Sequence, residues 1–346
     1  MNLKVVRYDE LAARHLERWR HLQASEPALA SPCFHPHFVQ AVAESSGEVF
    51  VAVIEDGAGF FPFQRSRWAI GRPVGTPLSD YHGVIAGAEY SGSIRDLVRS
   101  CGLSAWDFDH VPAAQVAFDP WAHSRTESPI VDLTRAAAVG SAKLRTDAAN
   151  RRRKLEREIG SIEFEMQSAD VAALEQLFAW KSAQYRETGE RDLFSTPWIR
   201  TMIEKIRQQN APEFSGWLSV LRAGGQPVAA HFGMRSRGLL HYWFPAYDSA
   251  LSTYSPGILL LLAMIDAMPA HALSSIDFGK GDAFYKKRLA NSAIPLLEGS
   301  VIAAPWLASF RTIRTGTEAW IRRGPLLRPA RAAAQWLRGR QQRGAG

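Results

Sequence analysis

The stretch that most constrains this chain runs from residue 238 to residue 289 and reads strand, loop, helix, strand, short helix. Residues 238–247 (GLLHYWFPAY) are aromatic and apolar, the composition of a strand within a sheet. Residues 248–254 are polar and turn-forming. Ser255-Pro256-Gly257 then opens a helix. Ser255 is placed to cap free backbone N–H groups, Pro256 suits the first helical position, and Gly257 leaves the amides uncovered. The apolar run 258–268 predicts a largely buried helix, and 276–279 predicts a short strand ending in the polar turn Lys280-Gly281-Asp282. A helix that begins with bare amides beside a strand end attracts anions. The phosphates of a nucleotide-type cofactor are one reading of this stretch. A capped core helix with nothing bound is the other.

At 346 residues the chain is long enough for two domains. Its two cysteines, Cys33 and Cys101, match neither a disulfide framework nor a metal spacing, which fits a reducing compartment. The start MNLKVVRYDE has no apolar core before Asp9 and Glu10, so no signal peptide is expected. No uninterrupted run reaches ~18 apolar residues, so no membrane span is expected either. The formal charge of +7 is uneven: residues 305–346 hold nine Arg and one Glu, and the rest is close to neutral. A body-wide nucleic-acid footprint is therefore not expected, nor is DNA as a partner.

From the start, residues 3–7 predict a strand, and Asp9 can cap a helix over 10–22. A second helix runs through Ala43, and 49–55 with 60–65 predict a hairpin about Asp56-Gly57. The turn-rich segment 71–83 sets Asp80, Tyr81 and His82 side by side. These can hydrogen-bond a polyhydroxylated substrate, orient one another for proton transfer, or satisfy local backbone. A helix over 94–100 and strands over 105–111 and 128–133 follow. Asp107, Asp109 and His110 resemble a metal set, but strand alternation puts 107 and 109 on one face and His110 on the other, so no metal is expected.

Residues 141–158 predict a strongly basic helix containing Arg-Arg-Arg-Lys at 151–154. It can meet an anionic partner (CoA phosphates, a lipid-diphosphate carrier or RNA), or be a solvated linker with pairs such as Arg152–Glu156 and Lys154–Glu158. It lacks the interleaved aromatics that stack on bases. After a strand over 162–167, the helix 170–187 carries Lys181 and Tyr185 one turn apart on a largely apolar side. Such a lysine either snorkels outward or faces a cleft. A helix over 197–207 precedes an antiparallel meander of strands 215–222, 227–235 and 238–247. His231 shares a strand face with the small Ala229 and Gly233, as a core residue or as a base with room beside it. Past residue 304, Trp306, Phe310, Ile313, Trp320 and Ile321 fall near one helical face among arginines. That pattern suits an anionic membrane surface, or a helix packed on the body before a basic tail.

The runs AYDSALSTYSPGILL and IDFGKGDAFYKKRLA, with LFAWKSAQYRETG and VAAHFG upstream, resemble the BioF2-like, FemAB-related branch of the GNAT acyltransferases. The resemblance covers 150–290 well and 30–135 more loosely. It implies an α/β (α+β) protein of two tandem GNAT-like domains, each a mixed, mostly antiparallel twisted sheet flanked by helices. The expected division is 1–135 (N-terminal, acceptor side), 136–160 (basic linker helix), 161–303 (C-terminal, acyl-CoA donor site) and 304–346 (amphipathic basic tail). The usual GNAT phosphate loop is richer in glycine and carries Arg or Gln; here Ser255-Pro256-Gly257 stands in its place.

The activity implied is cytoplasmic N-acyl transfer, with acetyl-CoA or another acyl-CoA as co-substrate and no metal. The acceptor is an amino group on a sugar or lipid-linked sugar made for an exported polysaccharide. Tyr254, Ser255, Pro256, Gly257, Ile258 and Lys286 would hold the donor. His231 or Asp248 would act as base, and Tyr285 would protonate the departing thiolate. Asp80, Tyr81, His82, Lys181, Tyr185, Trp243 and Asp277 would line the acceptor side. The tail would place the protein at the inner face of the cytoplasmic membrane. The alternatives are an aminoacyl-tRNA donor, as in FemAB enzymes, and a non-catalytic membrane-associated subunit of a polysaccharide synthesis complex.

Overall fold

The computed structural model describes residues 2–66, 68–135, 139–281 and 283–304, so the expectations placed on 305–346 lie outside the described residues. The first part of the chain forms β1 (Leu3–Arg7), α1 (Ala13–Ser25), α2 (Pro36–Ser46), β2 (Phe50–Ile54), β3 (Gly59–Arg65), β4 (Ile70–Arg72), β5 (Ile85–Ala86), α3 (Ile94–Ser100), β6 (Ala105–Pro112) and β7 (Ala122–Asp132). Next come α4 (Ala142–Glu158), β8 (Ile162–Glu165), α5 (Val171–Thr188), α6 (Pro197–Arg207) and β9 (Asn210–Ala211). The remainder is β10 (Phe214–Ala223), β11 (Gln226–Ser236), β12 (Leu239–Tyr247), α7 (Pro256–Ala267), β13 (Ser275–Asp277), α8 (Phe284–Leu289) and β14 (Ser292–Ile302).

Local chemistry sets several boundaries. The Ser141 hydroxyl accepts from the Leu144 amide at 3.2 Å and Asp170 accepts from the Ala173 amide at 3.1 Å, starting α4 and α5. Asp9 does not cap α1. It sits in a short 3₁₀ turn, Tyr8–Glu10, and α1 begins four residues later behind Ala12.

The strands join one sheet in the order β1-β2-β3-β4-β6-β14-β7-β13-β12-β11-β10-β8, with β5 paired to β3 and β9 to β10. Most neighbours are antiparallel; β4–β6 and β12–β13 are parallel. Each half therefore repeats one plan, an antiparallel meander leading to a single parallel pair, as expected of tandem GNAT-like units. Between them β14 lies antiparallel to both β6 and β7, so the last described strand is built into the first half. Helices cover the sheet. One core cluster joins Trp19, Phe34 and Phe38 of the first half to Leu177, Ile203 and Phe214 of the second; each half has a further cluster of its own.

Both cysteines are buried. Burial pushes each thiol up to about 12. Native protein at pH 8 is therefore expected not to react with DTNB, and to release two equivalents of chromophore once unfolded in guanidinium. Rapid native reaction would mean that the core around Cys33 or Cys101 is open.

Candidate active site

β12 and β13 run parallel over only three residue pairs, ending at His241 opposite Asp277. Beyond that point the strands part: β13 stops and β12 continues to Tyr247. The space between them is a cleft of about 740 Å³. Tyr242, Trp243, Pro245 and Tyr247 form one wall, and Phe278, Lys280 and Gly281 the other. Lys181 and Tyr185 of α5 face in from above, and Ser255, Gly257 and Ile258 close the far end at the start of α7. Two glycines make the close approach at the vertex possible. A Cβ on Gly233 would lie 2.3 Å from the His241 carbonyl oxygen, and one on Gly279, which has φ +66°, 2.7 Å from Asp80 Oδ2.

At the vertex sits a carboxylate–imidazole pair. Asp80 comes from the loop between β4 and β5 and lines the cleft, and its Oδ2 is 2.8 Å from His241 Nε2. The Trp243 indole donates to the Leu78 carbonyl at 3.0 Å, tying that loop to β12. His241 is fully buried, and its other nitrogen is 4.0 Å from Asp277 Oδ2. Asp277, also fully buried, accepts from the Ser128 hydroxyl at 2.5 Å and from the Gly279 amide at 2.8 Å. Burial alone would raise Asp80, but the His241 hydrogen bond and the charges of His241, His110 and Lys286 hold it below the ordinary carboxylate value. Burial alone would lower His241, but Asp80 and then Asp277 lift it above the ordinary imidazole value. The two shifts agree: the pair is ionic, Asp80⁻ with His241⁺.

The start of α7 differs from expectation. Ser255 does not cap the helix; it adopts φ 52°, ψ 52°, and its hydroxyl accepts instead from the Arg151 guanidinium of α4. The helix start carries no side-chain cap; Pro256 has no N–H to offer, and the Ile258 amide donates to the Ser255 carbonyl at 3.0 Å. Arg151 and Arg288 meet Ser255 and Ile258 around a small hollow beside it. Lys154 lies 5.4 Å above the Tyr254 ring, and the Tyr254 hydroxyl donates to Glu158 at 2.7 Å. Glu158 thus faces Tyr254 and Arg157, and the basic helix is built into the mouth of the site.

The structure gathers much of the expected set. Asp80, Lys181, Tyr185, Trp243, Ser255, Gly257, Ile258, Tyr285 and Lys286 all line the cleft. Lys181 faces inward: its ammonium donates to Gln184 at 3.0 Å, and burial lowers it below the ordinary lysine value. Lys286 is buried and donates to the carbonyls of Gly279 and Lys280 at 2.9 Å each, holding the loop after β13. Burial pushes the Tyr285 phenol up to about 12. Tyr81, His82 and Asp277 stand behind the wall. His231 is fully buried; Tyr242 stacks on it at 4.2 Å, and desolvation lowers it to about 3. Asp248 caps the turn after β12 by accepting from the Ala250 amide. Neither His231 nor Asp248 lines the cleft.

Three residues escaped the sequence reading: His241, Ser128 and Arg288, while Arg151 was read only as part of a basic run with an anionic partner as one alternative. The one available signal was His241, a titratable group inside the apolar run GLLHYWF.

Residues 142–287 match the family model described as an acetyltransferase (GNAT) domain. No protein of curated function matches the chain. Three solved structures share the fold across nearly their whole length. FemX has a TM-score of 0.56 at 9% identity, covering 90% of this chain and 99% of that one. A DUF2156 domain from Agrobacterium fabrum has 0.54 at 14%, covering 86% and 95%. L-PGS from Bacillus licheniformis has 0.53 at 11%, covering 85% and 92%. The cleft between β12 and β13 thus lies within the stretch that matches the acetyltransferase (GNAT) domain model, in a mixed α/β, GNAT-type fold.

Proposed function

We propose that the protein is an N-acyltransferase that draws its acyl group from a CoA thioester and passes it to an amine held at Asp80. The observation that carries this reading is the parting of β12 from β13 toward an uncapped helix start flanked by arginine. Parted strands leave backbone amides facing the gap, where they can polarise a thioester carbonyl. The α7 terminus with Arg151 offers dipole and charge to a pyrophosphate. Bound there, the thioester supplies an activated acyl carbon at the vertex. Asp80 then holds the amine as an ammonium and takes one of its protons, which frees the nitrogen lone pair to attack. Tyr285, protonated at any physiological pH, can hand its proton to the leaving sulfur and take in its place the second proton that the nitrogen sheds as it becomes an amide. The aromatic walls Tyr185, Tyr242 and Trp243 suit a sugar ring, which supports an amino sugar or lipid-linked amino sugar as acceptor, within export of a polysaccharide.

Calorimetric titration with CoA and acetyl-CoA tests the donor. Arg151→Glu should weaken binding about tenfold, ~1.4 kcal/mol, and flatten its salt dependence. Absence of heat with the wild-type chain would remove the CoA donor and favour a non-catalytic scaffold. Release of free thiol in the presence of amino sugars tests transfer itself. The exposed arginines of α4 beside the donor end support one further reading, an aminoacyl-tRNA donor in the same cleft; tRNA-dependent transfer without CoA binding would establish it.

A further inference from the structure

The ionic pair at the vertex accounts for Asp80 Oδ2 but not for Oδ1. That oxygen lies 3.5 Å from His110 Nε2. His110 Nδ1 lies 3.0 Å from Asp109 Oδ1, and the Asp109 side chain is 61% exposed and outside the cleft lining. One imidazole therefore stands between a carboxylate in the cleft and a carboxylate in solvent. Regular strand alternation forbids this, because neighbours 109 and 110 would point to opposite faces. A bulge in β6 makes it possible: Val111 pairs with Leu297 and Phe108 with Gly299, so β6 holds one extra residue. The amides of both Asp109 and His110 turn toward His82 Nε2, each at 3.1 Å. Accepting two N–H groups fixes that nitrogen as unprotonated. His82, buried and held down to about 3, is thus a neutral clamp for the bulge.

We propose that His110 and Asp109 form a proton exit from the cleft, so that the proton Asp80 takes from the amine leaves to solvent outside the cleft. The proposal rests on the acyl-transfer reading. With acceptor and donor both seated, the cleft face of Asp80 is covered, and Oδ1 is its remaining outlet. The proton passes from the ammonium to Asp80 before the nitrogen attacks, then to His110 Nε2. The imidazolium gives up its Nδ1 proton to Asp109 and so to water, and a half-turn of the ring restores the starting tautomer. No other bond changes. The groups facing this path are Asp80, His82, Asp109 and His241, with Lys280 acting on Asp109 and His82, and Lys286 on Asp80.

The test is acyl transfer by the full chain in dilute buffer, comparing Asp109→Asn and His110→Gln with wild type and adding imidazole. Both variants should lose about tenfold in kcat, with KM for donor and acceptor nearly unchanged. Imidazole should restore the rate of both variants and leave wild type unaffected, and the pH profile of each variant should follow buffer concentration. Wild-type kcat in Asp109→Asn, whose exposed side chain carries no folding risk, would overturn the exit. So would a loss that imidazole does not restore, which would mark His110 as a support for Asp80 only. In ¹⁵N-histidine spectra the His110 nitrogens should respond to both Asp80→Asn and Asp109→Asn; silence to either breaks the path independently of turnover. CoA binding without wild-type transfer to any amine would remove the reading and the exit together, whereas normal wild-type transfer with indifferent variants removes the exit alone.

Discussion

Asp80→Asn should lower kcat for acyl transfer by about 10²–10⁴-fold while CoA binding stays within about twofold of wild type. The amide keeps the volume of the carboxylate and can still approach His241, so the walls of the cleft remain in place. It can neither hold an ammonium by charge nor take its proton. The proposed donor end, at the start of α7 beside Arg151, is built from other residues and is not touched by the change. Stopped turnover with intact CoA heats therefore separates loss of chemistry from loss of fold. Wild-type turnover by the Asp80→Asn variant would mean that the amine proton leaves by another group, and the vertex would lose its assigned role.

His241→Ala should cost about 3–5 kcal/mol of stability near pH 6. The cost comes from what remains: Asp80 loses its hydrogen-bonded partner, and the fully buried Asp277 faces an empty site. The pH dependence of the wild type follows from the direction of each shift. His241 is raised in the folded protein, so its contribution is complete below the ordinary imidazole value of ~6.5 and is lost as pH rises through the raised folded value. Asp80 is lowered, so its contribution is complete above the ordinary carboxylate value of ~3.9 and is lost as pH falls through the depressed folded value. The pair thus stabilises most between those two ordinary values. Urea unfolding across pH should show wild-type stability falling on the alkaline side of that window, with His241→Ala flatter there. Equal stability of the two proteins at pH 6 would mean that the pair contributes nothing net.

Much of the fold was legible because it is local. The helix at 197–207, the basic helix after Ser141 and the helix after Asp170 carry their own caps or starting proline, and the structure places them at 197–207, 142–158 and 171–188. The meander from Phe214 to Tyr247 is made of apolar runs that turn at Gly224-Gly225 and Arg237-Gly238, as short-range rules require. β14 was not legible. Its sequence SAIPLLEGSVI has a proline and a glycine inside the run, so no strand was assigned there; it is a strand because it pairs antiparallel with both β6 and β7, each distant in the chain.

The candidate site divides in the same way. Lys181, Tyr185, Tyr285 and the segment around Ser255 could be found from spacing and resemblance, since each lies within a few residues of a recognisable turn or helix. Ser255 does not make the cap expected of it. Capping was inferred from residue type, but the left-handed backbone at 255 turns its hydroxyl to Arg151, more than a hundred positions away in the chain. His231 drew attention because small neighbours left room beside it; in the fold Tyr242 fills that room.

The helices, the meander and the apolar faces were set by short-range rules, because capping, periodicity and turn chemistry act over a few residues. Only the tertiary structure decided that Asp80, His110, His241 and Asp277 meet at one vertex. Those four come from two halves of the chain, and their charges acquire meaning only when burial and one another's fields fix which are ionised. A bulge in β6, invisible without its pairing partner, then turned two adjacent side chains toward one another and opened a path that alternation had seemed to close.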